Sequence, residues 1–268
     1  MGNDLLILID NINFHIGGHI EVKETITFQS IYERDEIVLP IHYNHLIQSM
    51  IYNQLDDEVA EFLHEEGFRK EKRNYKLFTF SRLLGNYHLD RKDGLIKFNG
   101  PVKLTISSPY NEFSSSIGNS ILFSRYIRIG NNKLEAKELS VEMEIVESEE
   151  IMVEAISPIT TYSTLIRSDG KKFTYYFNPK EKEFSQIVSN NLKNKYEAFY
   201  LKDAPEENVI IEPIGDSRLS IIKYKDFIIK GYMGRFKMSG PIPLLQMGVE
   251  SGVGGKNSQG CGAIRLIK

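Results

Sequence analysis

Five of the twelve residues from Ser251 to Gly262, read as S-G-V-G-G-K-N-S-Q-G-C-G, are glycine, where the usual content of about 7% gives roughly one. A backbone so short of Cβ atoms is built for positive φ angles or for the close approach of another chain. Lys256, Asn257 and Ser258 stand at its centre. Together with exposed N–H groups they supply what a bound phosphate needs. Two familiar phosphate loops are excluded by spacing. Glu250 stands where a P-loop needs its first glycine, and Asn257 takes the third-glycine position of a dinucleotide fingerprint. The helix-like run Pro243–Glu250 precedes the loop and the strand-like run Cys261–Ile267 follows it. The loop therefore lies at a helix C-terminus, the unfavourable end of the dipole for an anion. A tight helix-to-strand turn without a ligand is the alternative reading.

Little else in the chain has metal or nucleophile spacing. His15 and His19 are four apart, but Gly17 and Gly18 lie between them and argue against the helix that would align them. Residues 1–22 are read as an extension without assigned function. Cys261 is the single cysteine, which excludes an internal disulfide and a cysteine-rich zinc site and suits a reducing compartment. The apolar run Leu5–Ile9, between Asp4 and Asp10, is too short for a membrane span or a signal-peptide core, so a cytoplasmic protein is expected. The formal net charge of −3 conceals a split. Residues 1–150 carry 16 Lys+Arg against 24 Asp+Glu, and residues 151–268 carry 17 against 12. An asymmetry of this kind lets an acidic protein bind a polyanion.

Periodicity supplies the elements that position these residues. Thr25–Ile31 alternates as a strand, a loop with Pro40 follows, and Leu46, Met50, Ile51 and Leu55 recur at helical spacing within Tyr43–Leu55. Asp56-Asp-Glu opens a second helix, with Val59, Phe62 and Leu63 apolar, which Gly67 stops. After the cationic run Arg69–Arg73, a strand is expected over Tyr75–Ser81, with Leu77 and Thr79 on one face and Lys76, Phe78 and Phe80 on the other. Strands at Gly94–Phe98, Val102–Ile106, Tyr126–Ile129 and Lys137–Ile145 surround a helix at about Asn111–Phe123. The second half repeats the order: strands at Met152–Ile156 and Phe173–Phe177, a helix from about Glu181 to Tyr200, and strands at Val209–Ile214, Leu219–Tyr224 and Phe227–Phe236. Strands outnumber helices, the pattern of an α+β sandwich.

In this order the motifs resemble the RAMP superfamily, and within it the CRISPR precursor-RNA processing endoribonucleases that the field calls Cas six. Gly252–Gly262 resembles the family's glycine-rich signature, Tyr43–Asn53 its first helix, and Leu63–Glu65 followed by Tyr75–Ser81 its active-site helix and next strand. A fainter match runs from Ile156-Ser-Pro through Glu181–Phe184. The resemblance covers roughly Ile26 to the end. It implies an α+β fold of two tandem ferredoxin-like (βαββαβ, RRM-like) domains with antiparallel sheets, at residues 23–148 and 149–268. It also implies cleavage of CRISPR repeat RNA without a metal or organic cofactor. Carried over to matching positions, the catalytic group is Tyr52, His64 and Lys76, with His45 in reserve because some members keep a histidine on the first helix.

Metal-free RNA cleavage uses the substrate's own 2′-hydroxyl as nucleophile and leaves a 2′,3′-cyclic phosphate and a 5′-hydroxyl. It needs proton transfer, for which a histidine is suited, and a cation at the phosphoryl oxygens, the role of Lys76. Tyr52 orients or deprotonates the 2′-hydroxyl. The plain alternatives are a dipole-stabilising His64, a core Tyr52 and a solvated Lys76. RNA contacts are expected from Gly252, Gly254, Gly255, Lys256, Asn257, Ser258, Gly260 and Gly262 in the loop and from Arg69, Lys70, Lys72 and Arg73 beside the site. Lys223, Lys225, Lys230, Arg235 and Lys237 are expected to hold a repeat stem by its phosphates. The acids of Asp56–Glu66 are expected to face away. The rival reading is a non-catalytic RAMP subunit that binds guide RNA in an effector complex, which would not need His64. Expected partners are repeat RNA and mature guide RNA, with effector-complex subunits and a homodimer left open and no membrane.

Overall fold

The computed structural model describes residues 6–10, 22–32, 35–166 and 168–267, with the backbone alone for 6–10 and 22. His15 and His19 lie outside the described residues. The first half contains β1 (Leu6–Asp10), β2 (Val22–Ser30), β3 (Glu36–Pro40), α1 (Asn44–Gln54), α2 (Asp57–Glu61), β4 (Phe68–Lys70), β5 (Arg73–Tyr75), β6 (Thr79–Phe80), β7 (Leu84–Asp90), β8 (Leu95–Ser108), α3 (Asn111–Phe123), β9 (Ile127–Ile129) and β10 (Asn132–Glu142). The second contains β11 (Glu150–Ala155), β12 (Tyr162–Ile166), β13 (Lys172–Tyr176), α4 (Lys182–Tyr200), β14 (Ile210–Tyr224), β15 (Phe227–Ser239), α5 (Ile242–Ser251) and β16 (Ile264–Leu266).

Among the described residues there are two main sheets, and helices pack against them in an α+β arrangement. The first has the order β1-β10-β2-β8-β3, with β6 and β7 also on β8 and β9 on β10; the second has the order β14-β15-β11-β16. Pairing is antiparallel except for β1, which runs parallel to β10. α1 and α3 bury Ile47, Met50, Ile51, Phe113 and Ile117 against Ile26, Phe28 and Leu104 of the first sheet, whereas α4 and α5 bury Phe184, Val188, Leu192, Leu244 and Leu245 against Val153, Phe236 and Met238 of the second. Full burial of such side chains is worth about 1.5–3 kcal/mol each, which anchors each helix on its own sheet.

Several expected elements change. Gly94–Phe98 and Val102–Ile106 are one strand, β8, and Val209–Ile214 and Leu219–Tyr224 are one strand, β14, with an irregularity between Ile214 and Arg218. Pro40 ends a strand, β3, that among the described residues pairs only with β8, an edge position that tolerates a missing N–H. Phe173–Phe177 is a strand, but it pairs with β12 as a separate hairpin. The expected strand Tyr75–Ser81 is broken: Leu77 has φ +49, and Leu77, Phe78, Thr79 and Phe80 are all buried, so no alternation survives. The kink lies beside Lys76.

The two halves are joined by hydrogen bonds rather than apolar contact alone. The Arg82 N–H donates to Ile156 O across 3.0 Å, Thr79 Oγ1 to Cys261 O across 3.0 Å, and Lys23 Nζ to Ile264 O across 2.9 Å. Lys23 also pairs with Glu144.

Candidate active site

α2 begins with Asp57 and Glu58 in its first turn, where carboxylates suit the positive end of the dipole. After Glu61 the helix widens into a π turn, Phe62–Glu66, which Gly67 ends at φ +64. His64 sits in this turn with its side chain 76% exposed. Such wide turns recur at functional sites. Within it Leu63 is buried while His64 is turned outward.

Two elements converge on that turn, α1 and the segment that follows β5. Tyr52, in the last turn of α1, faces the His64 ring edge-on with 6.5 Å between centroids and an interplanar angle of 85°, and its other neighbour is the buried Phe78 at 5.9 Å. Lys76 Nζ donates to His64 O across 2.8 Å. The structure thus brings Tyr52, His64 and Lys76 together. It also adds a residue that sequence reasoning missed: Glu65 Oε1 lies 2.7 Å from His64 Nδ1. The acids of this segment do not all face away. The carboxylate beside Nδ1 leaves Nε2 as the nitrogen open to a substrate, and its only sequence signal is adjacency to the histidine.

Burial shifts both side chains that meet the histidine. Burial, and then Tyr224, push the Tyr52 phenol up to about 12, so at neutral pH it is a hydrogen-bond donor, not a base. Partial burial draws the Lys76 ammonium below its ordinary range, with Glu65 opposing. One of its three N–H groups is used on His64 O, which leaves two for an anion. His45 lies elsewhere: it faces Tyr224 edge-on at 6.5 Å, with Nδ1 buried and unpartnered, about two turns of α1 before Tyr52.

The glycine loop is clasped by α1. Asn44 Nδ2 donates to Gln259 O across 2.9 Å and Gln48 Nε2 to Ser258 O across 2.6 Å, and Tyr224 OH bonds Gln48 in turn. Of the loop residues expected to touch RNA, Gly252, Gly254, Gly260 and Gly262 are buried. The close approach they permit is to the chain itself: a Cβ on Gly260 would stand 2.4 Å from Phe80 Cε2. Asn257 Nδ2 is likewise turned inward, to Cys261 O at 3.0 Å. The surface of the loop narrows to Gly255–Gln259, with Lys256 Nζ 5.4 Å from the Tyr162 ring centroid. This stretch, Lys76 and Arg73 line a cleft of about 620 Å³. Beneath it the buried Lys195 donates to Gly252 O at 2.7 Å and Ser251 O at 3.2 Å.

The expected cationic groups are only partly assembled. Arg69–Arg73 forms the β4–β5 hairpin, in which Lys70 pairs with Glu197 of α4 at 2.7 Å, while Lys72 and Arg73 are exposed. Lys223, Lys225 and Lys230 are exposed at the turn end of β14–β15, and the Lys223 N–H donates to His42 Nδ1. Arg235 and Lys237 stand at the other end, opposite Glu154 in the register and paired to Glu150 at 2.9 Å respectively. The five do not make one patch, because β15 carries Arg235 and Lys237 about 20 Å along the strand from Lys230. Among the described residues, no group of three or more His, Cys, Asp or Glu side chains is placed to hold a metal ion.

Two family models match the chain: CRISPR-associated protein Cas6, N-terminal, over residues 38–140, and CRISPR associated protein Cas6, C-terminal, over residues 134–266. A CRISPR-associated endoribonuclease Cas6 of Methanocaldococcus jannaschii is 30% identical over 230 residues, 85% of this chain and 87% of that one. The chain belongs to the Cas6 family of CRISPR-associated endoribonucleases. The Cas6 endoribonuclease of Pyrococcus furiosus is 28% identical over 239 residues, 85% of this chain and 83% of its own. A solved CRISPR associated protein Cas6 superposes with a TM-score of 0.74 at 28% identity, over 92% of this chain and all of that one. The antiparallel α+β architecture is thus a Cas6-like one. Among the described residues no helix is long and apolar enough to cross a membrane.

Proposed function

We infer that this Cas6 family member cleaves CRISPR repeat RNA in precursor transcripts by attack of the 2′-hydroxyl on the adjacent phosphorus, without a metal ion. The observation that carries the reading is the convergence of Tyr52 and Lys76 on His64. His64 Nε2 accepts the 2′-hydroxyl proton, the 2′-oxygen bonds phosphorus and the bond to the 5′-oxygen breaks. The imidazolium returns the proton to the departing 5′-oxygen. Lys76 stabilises the charge that grows on the phosphoryl oxygens, and the Tyr52 phenol donates a hydrogen bond that orients the attacking group. Products are a 2′,3′-cyclic phosphate and a 5′-hydroxyl.

Two ferredoxin-like halves serve this reaction, and the strand orders support them. The sheet orders β10-β2-β8-β6 and β16-β11-β15-β14 both put the first strand of a βαββαβ unit between its fourth and third. In this reading Lys72, Arg73, Lys256 and the exposed lysines of the β14–β15 turn hold RNA phosphates. The protein acts in the cytoplasm, which suits the buried thiol of Cys261.

The test is cleavage of a labelled repeat RNA from the protein's own locus in excess chelator, alongside His64→Ala and a substrate with a 2′-deoxy group at the cut. A single cut in chelator that either change abolishes is the expected result. Equal cutting by His64→Ala moves the role to His45. Tight binding without cleavage by the wild type overturns the nuclease reading in favour of a structural RNA-binding subunit.

A further inference from the structure

The first half is strongly acidic, yet no Asp or Glu occurs between Glu112 and Glu135, a stretch that carries Arg125, Arg128 and Lys133. This basic island surrounds aromatic surface. Phe123, the last residue of α3, is 87% exposed, and Tyr126 is 40% exposed in the connection to β9. Lys133 Nζ lies 4.8 Å and Arg128 Cζ 5.6 Å from the Tyr126 ring centroid. Those cations and Arg125 hold the phenol below its ordinary range. The first flanking acid, Glu135, is paired to Lys137 at 2.6 Å. None of these aromatics or cations has a place in the machinery described above.

Burying Phe123 would be worth about 2 kcal/mol, so its exposure in a fold that buries its other helix-borne phenylalanines more deeply points to an outside partner. Exposed rings interleaved with cations suit a single-stranded nucleic acid, whose bases stack on aromatic faces while phosphates pair with Arg and Lys. A protein partner of ordinary composition would be served by the rings but not by three clustered cations without acids. The island is also tied to the active-site helix. Gln54 Oε1 accepts from Ser120 Oγ at 3.0 Å and from Ser124 Oγ at 3.5 Å. Ser124 lies between Phe123 and Arg125, and Gln54 is two residues beyond Tyr52.

We propose that Phe123, Arg125, Tyr126, Arg128 and Lys133 form a second RNA-contact surface, which takes the unpaired strand that flanks the cleaved repeat. The proposal rests on the RNA-cleavage reading for the meaning of the flank, but the surface itself is defined independently of His64. It extends the footprint beyond the scissile phosphate and selects RNA that is continuous with a flanking strand.

The test compares wild type with Phe123→Ala/Tyr126→Ala and with Arg125→Gln/Arg128→Gln on two RNAs: a repeat trimmed near the cut and the same repeat with an unstructured flank on both sides. Both variants should cut the trimmed repeat at the wild-type rate. The aromatic variant should bind the flanked RNA about tenfold more weakly, the effect of losing roughly one stacked base. The arginine variant should lower the slope of log K against log salt by about 1.4, roughly 0.7 for each lost phosphate contact. In parallel, a 4-thiouridine-substituted flank should crosslink to the peptide spanning residues 122–133. Unchanged affinity with crosslinks elsewhere overturns the proposal and leaves Phe123 to a protein partner. Equal weakening on both RNAs also overturns it, as damage to the fold. Failure of wild type to cut either RNA sinks the nuclease reading alone; the crosslink then decides the surface by itself.

Discussion

Lys76 donates its ammonium to the main-chain carbonyl of His64 across 2.8 Å. A residue just past the end of β5 thereby ties down a π turn whose histidine is exposed. The chain leaves β5 at Tyr75, and Leu77, next to Lys76, takes φ +49. The lysine is thus a tether for the turn, and in the proposed reaction also the cation at the phosphoryl oxygens.

Replacing Lys76 with Met removes both functions. The single-turnover cleavage rate should fall on the order of 10²–10³-fold, as for loss of one preorganised donor to a developing oxyanion. Lys76→Arg keeps the charge but not the compact ammonium, and should recover only part of that loss. Rapid-quench kinetics at saturating protein checks both. A Lys76→Met rate within threefold of wild type would remove the lysine from the reaction.

Tyr52→Phe keeps the edge-on contacts with His64 and Phe78 and deletes only the O–H. Stability should change by less than about 0.5 kcal/mol and the rate should drop about tenfold, within the range of one lost hydrogen bond in the transition state. Because the phenol is held up to about 12, it stays protonated through the working range, and no limb of the wild-type pH–rate profile below about pH 11 should belong to it. A rising alkaline limb that vanishes in Tyr52→Phe would instead make the tyrosine the base.

Much of this arrangement was legible in the residue order. The spacing places α3 at Asn111–Phe123, where it stands, and α1 and α4 within one or two residues of their bounds, because their apolar faces repeat at helical spacing. The convergence of Tyr52, His64 and Lys76 followed from motif resemblance, since no local pattern brings together residues on α1, the turn after α2 and the segment after β5. What escaped was set by tertiary contact. β7, L-G-N-Y-H-L-D, is an exposed edge strand along which burial does not alternate. The break at Leu77 comes from the sheet and glycine loop crowding both faces of that segment. Glu65, Asn44 and Gln48 are ordinary polar helix residues until the loop and the histidine are placed against them. Gly252, Gly254, Gly260 and Gly262 combine positive φ with a close approach that is made to the chain itself rather than to another, and these four of the eight loop positions expected to touch RNA are buried in that packing.

Gly260→Ala tests that packing. Its Cβ would stand 2.4 Å from Phe80 Cε2 and 2.5 Å from Asn44 Nδ2, at φ +80, so overpacking and backbone strain combine to roughly 2–4 kcal/mol. Gly94→Ala is the control, with φ +69 and nothing within 4 Å of its Cβ; it should cost only about 1 kcal/mol. Thermal unfolding of the pair should separate them by several degrees. Equal shifts would show that the loop yields and that close approach is not why Gly260 is glycine.

Lys195 gives stability a pH dependence of definite sign. Its ammonium is buried beneath the loop, bonded to Ser251 O and Gly252 O, and burial lowers its pKa from 10.5 to about 7. Between these values the unfolded chain binds the proton that the folded chain lacks, so through this group stability rises as pH increases from about 7 toward 10.5. Below about pH 7 the cost of burying the charge is fully present. Lys195→Met fills the same volume without a titrating group, and leaves two carbonyls unmatched at a cost of about 1–3 kcal/mol. In urea unfolding, the stability of wild type relative to Lys195→Met should therefore grow across about pH 7 to 10 and be flat below 7. A difference that is constant over that range, or that shrinks as pH rises, would mean that Lys195 keeps its proton in the folded protein and that its two carbonyl bonds outweigh desolvation.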